Sequence, residues 1–83
     1  MSTIQIQVPE EALISLKLDA DSFARELLLL AAAKLFELGR LSSGRAAQLA
    51  GISRVEFLMA LGRFQVSPFQ MTAEELRQDV LNA

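Results

Sequence analysis

Five side chains in the middle of the chain have the types and spacing that contact nucleic acid. They are Arg40, Arg45, Ser53, Arg54 and Arg63. Guanidinium groups bind phosphate oxygens and guanine edges, and serine hydroxyls hydrogen-bond to phosphates. Positions 40–63 carry four arginines and one acid, a net charge of +3, whereas the rest of the chain carries four bases and nine acids, a net charge of −5. The sequence therefore predicts a local basic face on an acidic protein.

Two short helices joined by a glycine turn are predicted to position these side chains. The stretch L-S-S-G-R-A-A-Q-L-A-G-I-S-R-V-E-F-L-M-A-L runs from position 41 to 61. Gly51 permits a left-handed turn, and Ser53 with Glu56 has the spacing of a capping box. This is the plan of a helix-turn-helix, in which the N-terminal residues of the second helix meet base edges. We predict a helix-turn-helix-like unit over residues 42–62 that contacts DNA.

A second interpretation of this unit stays open. Two helices joined by a tight turn are also a compact way to pack. Leu58 and Met59 lie where a recognition helix normally faces the groove, and Glu56 would face a negatively charged duplex. The chain would then be a protein-interaction module, with Leu58, Met59 and the C-terminal helix binding a partner without contacting DNA.

The flanking segments predict one mostly α-helical domain over residues 1–83. Ile4, Ile6 and Val8 alternate with glutamines, which predicts a β-strand over residues 1–8. Helices are predicted within 9–38, where Pro9 favours a helix start and Gly39 a helix stop, and within 72–83. The fold class is therefore a small helical bundle preceded by an N-terminal strand. A lone strand leaves its backbone unpaired, so we expect it to pair with the same strand of another copy. The alternative is an extended arm that lies on the chain's own helices.

The hydrophobic content predicts a homodimer or a higher oligomer, with a compact helical monomer as the alternative. Hydrophobic residues make up 52% of the chain, and the run from 27 to 33 is apolar on every side of its helix. A helix that is apolar on every side is typically buried on every side. The core of one small domain cannot cover all of these sides, so another copy of the chain is expected to cover the rest. The predicted dimer interface consists of Ile4, Ile6, Val8, Leu27, Leu28, Leu29 and Leu30.

The residue types that are missing argue against catalysis. The chain has no Cys and no His, so the usual zinc and iron ligands and the usual base for a serine nucleophile are lacking. We predict no enzyme activity, no metal, no cofactor and no small-molecule substrate. The longest apolar run is far shorter than a membrane span and no targeting segment is visible, so we expect a cytoplasmic protein without a membrane partner.

The stretch from Leu35 to Leu58 resembles a known family. It is similar to the motif G-(K/R)-(I/L)-S-x-G-(K/R)-A-A-E-L-A-G-(I/M)-S-x-x-E-F-L of uncharacterised protein family 0175. The matching residues are Gly39, Ser42, Gly44, Arg45, Ala46, Ala47, Leu49, Ala50, Gly51, Ser53, Glu56, Phe57 and Leu58. Members are regarded as antitoxins of toxin–antitoxin pairs. The resemblance implies that the helix-turn-helix binds promoter DNA as a dimer and that a terminal segment binds a toxin.

Overall fold

The described part of the protein is built from helices. A computed structural model describes residues 2–68, and every regular element within that range is helical, which confirms the mostly α fold. The predicted C-terminal helix over 72–83 lies outside the described residues. The helices are α1 (Glu10–Leu16), α2 (Ala20–Glu37), α3 (Ser43–Ala50), α4 (Arg54–Ala60) and a 3₁₀ helix (Leu61–Phe64).

The predicted N-terminal β-strand is wrong. Residues 2–9 form no strand, and there is no strand anywhere between residues 2 and 68. The physical reason is the lack of a partner, because a strand exists only when a second strand accepts its backbone hydrogen bonds. The segment instead leaves Ile4 and Ile6 largely exposed, while Val8 is half-buried.

Three helices begin at side chains that cap them. Asp19 Oδ1 accepts the Ser22 backbone N–H at 2.7 Å, and Ser42 Oγ accepts the Arg45 N–H at 3.2 Å. Ser53 Oγ does the same for α4, which confirms the predicted cap at this position. Because the first backbone N–H groups of a helix lack internal partners, these caps fix where α2, α3 and α4 start.

Two glycines end helices in the left-handed conformation. Gly39 has φ 75° and Gly51 has φ 73°. At the first, the Arg40 N–H donates to the Leu35 carbonyl at 2.8 Å, and at the second, the Ile52 N–H donates to the Ala47 carbonyl at 3.1 Å. Such a reversed turn satisfies the last carbonyls of a helix and favours glycine, which has no Cβ. Both glycine stops were predicted.

The core lies between α2, α3, α4 and the 3₁₀ helix. The ring of Phe57 meets that of Phe36 edge-on, with centroids 5.7 Å apart and planes at 89°. Alanines let the helices approach closely, since four of the buried apolar side chains are methyl groups. The buried apolar residues are Ala32, Ala33, Phe36, Ala46, Ala47, Phe57, Leu61 and Val66.

The apolar helix α2 uses only one of its faces for this core. Leu29 packs against the buried cluster, whereas Leu27, Leu28 and Leu30 stay exposed. The helix α1 contributes no buried side chain to the core. Within residues 2–68, no helix has both the length and the apolar content needed to cross a membrane.

Candidate nucleic-acid interface

The helices α3 and α4 form a compact pair, here called the α3–α4 pair (residues 43–60). Three residues join them, beginning at Gly51 and ending at Ser53. The Ser53 hydroxyl accepts the Glu56 backbone N–H at 3.1 Å, and the Glu56 carboxylate accepts the Ser53 N–H at 3.4 Å. This is the predicted capping box, and it holds the Glu56 carboxylate at the first turn of α4.

Arg54 ties the two helices of the pair together. Its Nε donates to Ser43 Oγ at 2.8 Å, and Ser43 is fully buried. Both residues stand at the first position of their helices, so the bond joins the start of α4 to the start of α3. A hydrogen bond from a charged donor is stronger than one between neutral groups. The predicted DNA-contact residue Arg54 thus has a structural bond inside the pair.

Arg45 is the predicted arginine of this pair that is exposed to solvent, whereas Arg54 is half-buried. Arg45 lies in the first turn of α3, and one of its guanidinium nitrogens donates to Gln48 Oε1 at 3.1 Å. That partner is a neutral side chain one turn along the same helix, so the positive charge is not neutralised by it. Arg40, in the turn before α3, is also exposed.

The side chain of Arg63 is directed toward α2 and not along the α3–α4 pair. Its Nη2 lies 3.2 Å from Glu26 Oε1 of α2, and its guanidinium lies 5.2 Å from the centre of the Phe64 ring. The ion pair joins the 3₁₀ helix to α2 and offsets the arginine's charge. Of the five predicted contact residues, Ser53, Arg54 and Arg45 belong to the α3–α4 pair, while Arg63 faces α2.

The outward face of α4 is apolar, and the sequence predicted only one of its two residues, Met59. Val55 is 65% exposed and Met59 is 78% exposed, one helical turn apart. Leu58, expected on the outer face with Met59, instead packs against the core. The i, i+4 spacing of the buried Phe57 and Leu61 would have identified the inner face, and hence Val55 on the outer one.

No metal centre is visible in the described part of the chain. Between residues 2 and 68, no three side chains of the His, Cys, Asp and Glu types come together as a metal ion would require. The α3–α4 pair presents an exposed arginine and an apolar helix face to solvent.

These features define a small helical protein whose most distinctive surface is a capped pair of short helices. The chain belongs to the Uncharacterised protein family (UPF0175), whose model matches residues 1–83. A relative named "UPF0175 protein" from Aeropyrum pernix is 41% identical over 56 residues, which cover 68% of this chain and 71% of the relative. No solved structure matches the chain. The family resemblance drawn from the motif is confirmed.

Proposed function

We propose that this protein is a non-enzymatic, antitoxin-like transcriptional regulator that binds DNA through the α3–α4 pair. In this proposal the pair is a helix-turn-helix, with α4 presented to the major groove and Arg45 bound to backbone phosphates. The antitoxin role, including the binding of a toxin, is what the family resemblance implies. The cytoplasm is the expected location.

The observation that carries the proposal is the exposed guanidinium of Arg45 beside a capped second helix. A two-helix unit needs a fixed turn and rigid helix starts in order to hold side chains in register with a duplex. Gly51 and the capping box of Ser53 and Glu56 supply both. Arg40, exposed just before α3, adds a second positive charge for phosphates.

The test measures binding to a labelled duplex taken from upstream of the protein's own gene, against a scrambled duplex of equal length. Fluorescence anisotropy at about 50 and about 200 mM salt gives the slope of log K against log salt, which is roughly −0.9 for each phosphate neutralised. We expect Arg45→Ala to weaken binding on the order of tenfold at the lower salt and to reduce the slope by about one for each arginine lost.

The matched control is Arg25→Ala, because Arg25 is also an exposed arginine but lies on α2, outside the pair. We expect this variant to keep the wild-type affinity and slope. Absence of binding to either duplex at the lower salt would refute the proposal. Equal losses in the two variants would show that binding follows overall charge and not the α3–α4 pair.

A second candidate function is favoured by the apolar face of α4. The exposed side chains of Val55 and Met59 cannot form hydrogen bonds with the polar base edges of a DNA groove. They are suited to packing against the apolar surface of a partner protein. The chain would then bind a partner, such as a toxin, without DNA. Such binding should depend little on salt. Met59→Glu should abolish it, and Arg45→Ala should leave it unchanged.

A further inference from the structure

An apolar groove lies on the part of α2 that the core does not use. Ile4, Ile6 and Val8 of the N-terminal segment line it together with Phe23, Leu27 and Leu28 of α2, and its volume is about 420 Å³. No charged side chain lines this groove. Leu27 is two residues from the core residue Leu29, which places it roughly 160° around the helix. The groove therefore faces away from α3.

The outward face of α2 has the spacing of a helix that packs against another helix. Ala20, Ala24, Leu27 and Ala31 recur at intervals of four, three and four residues, as the apolar seam of a coiled coil does. Alanines in such a seam let two helix backbones approach closely. Leu13 of the small helix α1 lines one side of the groove, and α1 has no buried side chain of its own.

The exposed apolar area on this face is large enough to form most of an interface. Ile4 and Ile6 are 79% and 66% exposed, and Leu27 and Leu28 are 38% and 41% exposed. With the neighbouring alanines, this is on the order of 500 Å² of apolar surface around one groove, toward the upper end of the largest apolar patch on a typical soluble monomer. A standard interface covers about 800 Å² on each partner, so this surface would form the greater part of one.

We propose that a second copy of this chain occupies the groove, with the outward faces of the two α2 helices packed against each other. A symmetric dimer uses one patch on both subunits, and a seam of three alanines and one leucine can pack against its own copy across a twofold axis. No strand pairing is involved. The dimer leaves both α3–α4 pairs uncovered, since they pack on the opposite face of α2. This inference does not depend on the DNA-binding proposal.

The first test is the mass in solution, measured by light scattering with refractive-index detection because the chain has no Trp or Tyr. We expect the wild type to have twice the chain mass of 9.1 kDa and Leu27→Glu to have 9.1 kDa. Met59→Glu, which adds the same charge to α4, is the matched control and should stay dimeric. A wild type that stays at 9.1 kDa across a dilution series would overturn the proposal.

A second test keeps the proposal falsifiable if Leu27→Glu fails to fold, as subunits of obligate dimers often do. The chain contains no cysteine, so single cysteines can be placed at Ala20, Ala24, Leu27 and Ala31 in turn. Oxidation should link two chains at the seam position nearest the twofold axis, where the Cα atoms come within about 7 Å. Gln48→Cys, on α3, should not cross-link. Failure at all four seam positions, or linkage at Gln48 alone, would overturn the proposal.

Discussion

Replacing glycine by alanine should have opposite effects at two exposed positions. At Gly51, φ is 73°, and no atom lies within 4 Å of where a Cβ would be, so the only cost is the left-handed backbone. That cost is about 1–2 kcal/mol, offset by roughly 0.4–1 kcal/mol because alanine restricts the unfolded chain. Gly51→Ala should therefore lower the free energy of unfolding by about 1 kcal/mol.

Gly62 is the matched control. A Cβ there also meets no atom within 4 Å, and its φ is not positive. Gly62→Ala should raise the free energy of unfolding by about 0.4–1 kcal/mol, since alanine loses less entropy on folding. The two variants should then differ by about 1.5 kcal/mol, or roughly 6–12 °C in Tm for a domain of this size.

The assay is thermal and urea unfolding followed by circular dichroism at the helix band, because the chain has no Trp or Tyr for fluorescence. Gly51→Asn serves as a rescue, since asparagine tolerates the left-handed region better than alanine. We expect Gly51→Asn to lie between the wild type and Gly51→Ala. Equal shifts of the same sign for Gly51→Ala and Gly62→Ala would refute the assignment of the turn between α3 and α4 to backbone conformation.

Three further variants test the caps and the link within the α3–α4 pair. Arg54→Ala should lower the free energy of unfolding in urea by about 1–2 kcal/mol, because it removes a charged hydrogen bond to a buried hydroxyl. The control, Arg45→Ala at an exposed position, should lower it by less than about 0.5 kcal/mol. Equal losses in the two variants would contradict a linking role for Arg54. Ser53→Ala should cost about 1 kcal/mol by removing the cap of α4, and an unchanged urea midpoint would contradict this. The backbone hydrogen bond from Ser22 lowers the pKa of Asp19 below its ordinary value of 3.8, so the stability that this carboxylate adds is present above about pH 4 and is lost as pH falls further. Asp19→Asn keeps a cap without that titration, and the stability difference between wild type and variant should shrink as pH falls from about 5 to 2 in acid titrations of unfolding.

Local chemistry explains which features the sequence could predict. The cap at Ser53 and the stops at Gly39 and Gly51 depend on groups within five residues of each other, so the residue types determine them. The two-helix unit between 42 and 62 follows from those signals. Its position on the chain was therefore readable without knowing the rest of the fold.

Features that depend on distant partners could not be read in this way. The alternation of Ile4, Ile6 and Val8 indicates a strand only if a second strand is available, and a pattern does not reveal that one is missing. The bond from Arg54 to Ser43 spans eleven positions and depends on how α3 and α4 pack. Sequence reasoning therefore treated Arg54 as equivalent to Arg45, although only Arg45 is exposed.

The apolar run in α2 shows a further limit of pattern reading. When every residue from 27 to 33 is apolar, periodicity cannot distinguish the inner face from the outer one. The alanines of α3 determine which face of α2 is buried. Ala46 and Ala47 allow α2 to pack closely only through the face that carries the small residues Ala32 and Ala33. The remaining leucines were grouped with Leu29 as one interface, and the fold separates them.

The two faces of α2 connect the proposed dimer to the proposed DNA binding. If a second copy occupies the groove, each dimer carries two α3–α4 pairs, and a duplex that engages both is bound more tightly because the second contact is intramolecular. Leu27→Glu should then weaken DNA binding and roughly halve the salt slope, although Leu27 touches no DNA, because a single subunit neutralises half the phosphates. Arg45→Ala should lower the slope without changing the mass in solution. A Leu27→Glu monomer that keeps the full slope would separate the two proposals, leaving self-association through α2 without a role in DNA binding.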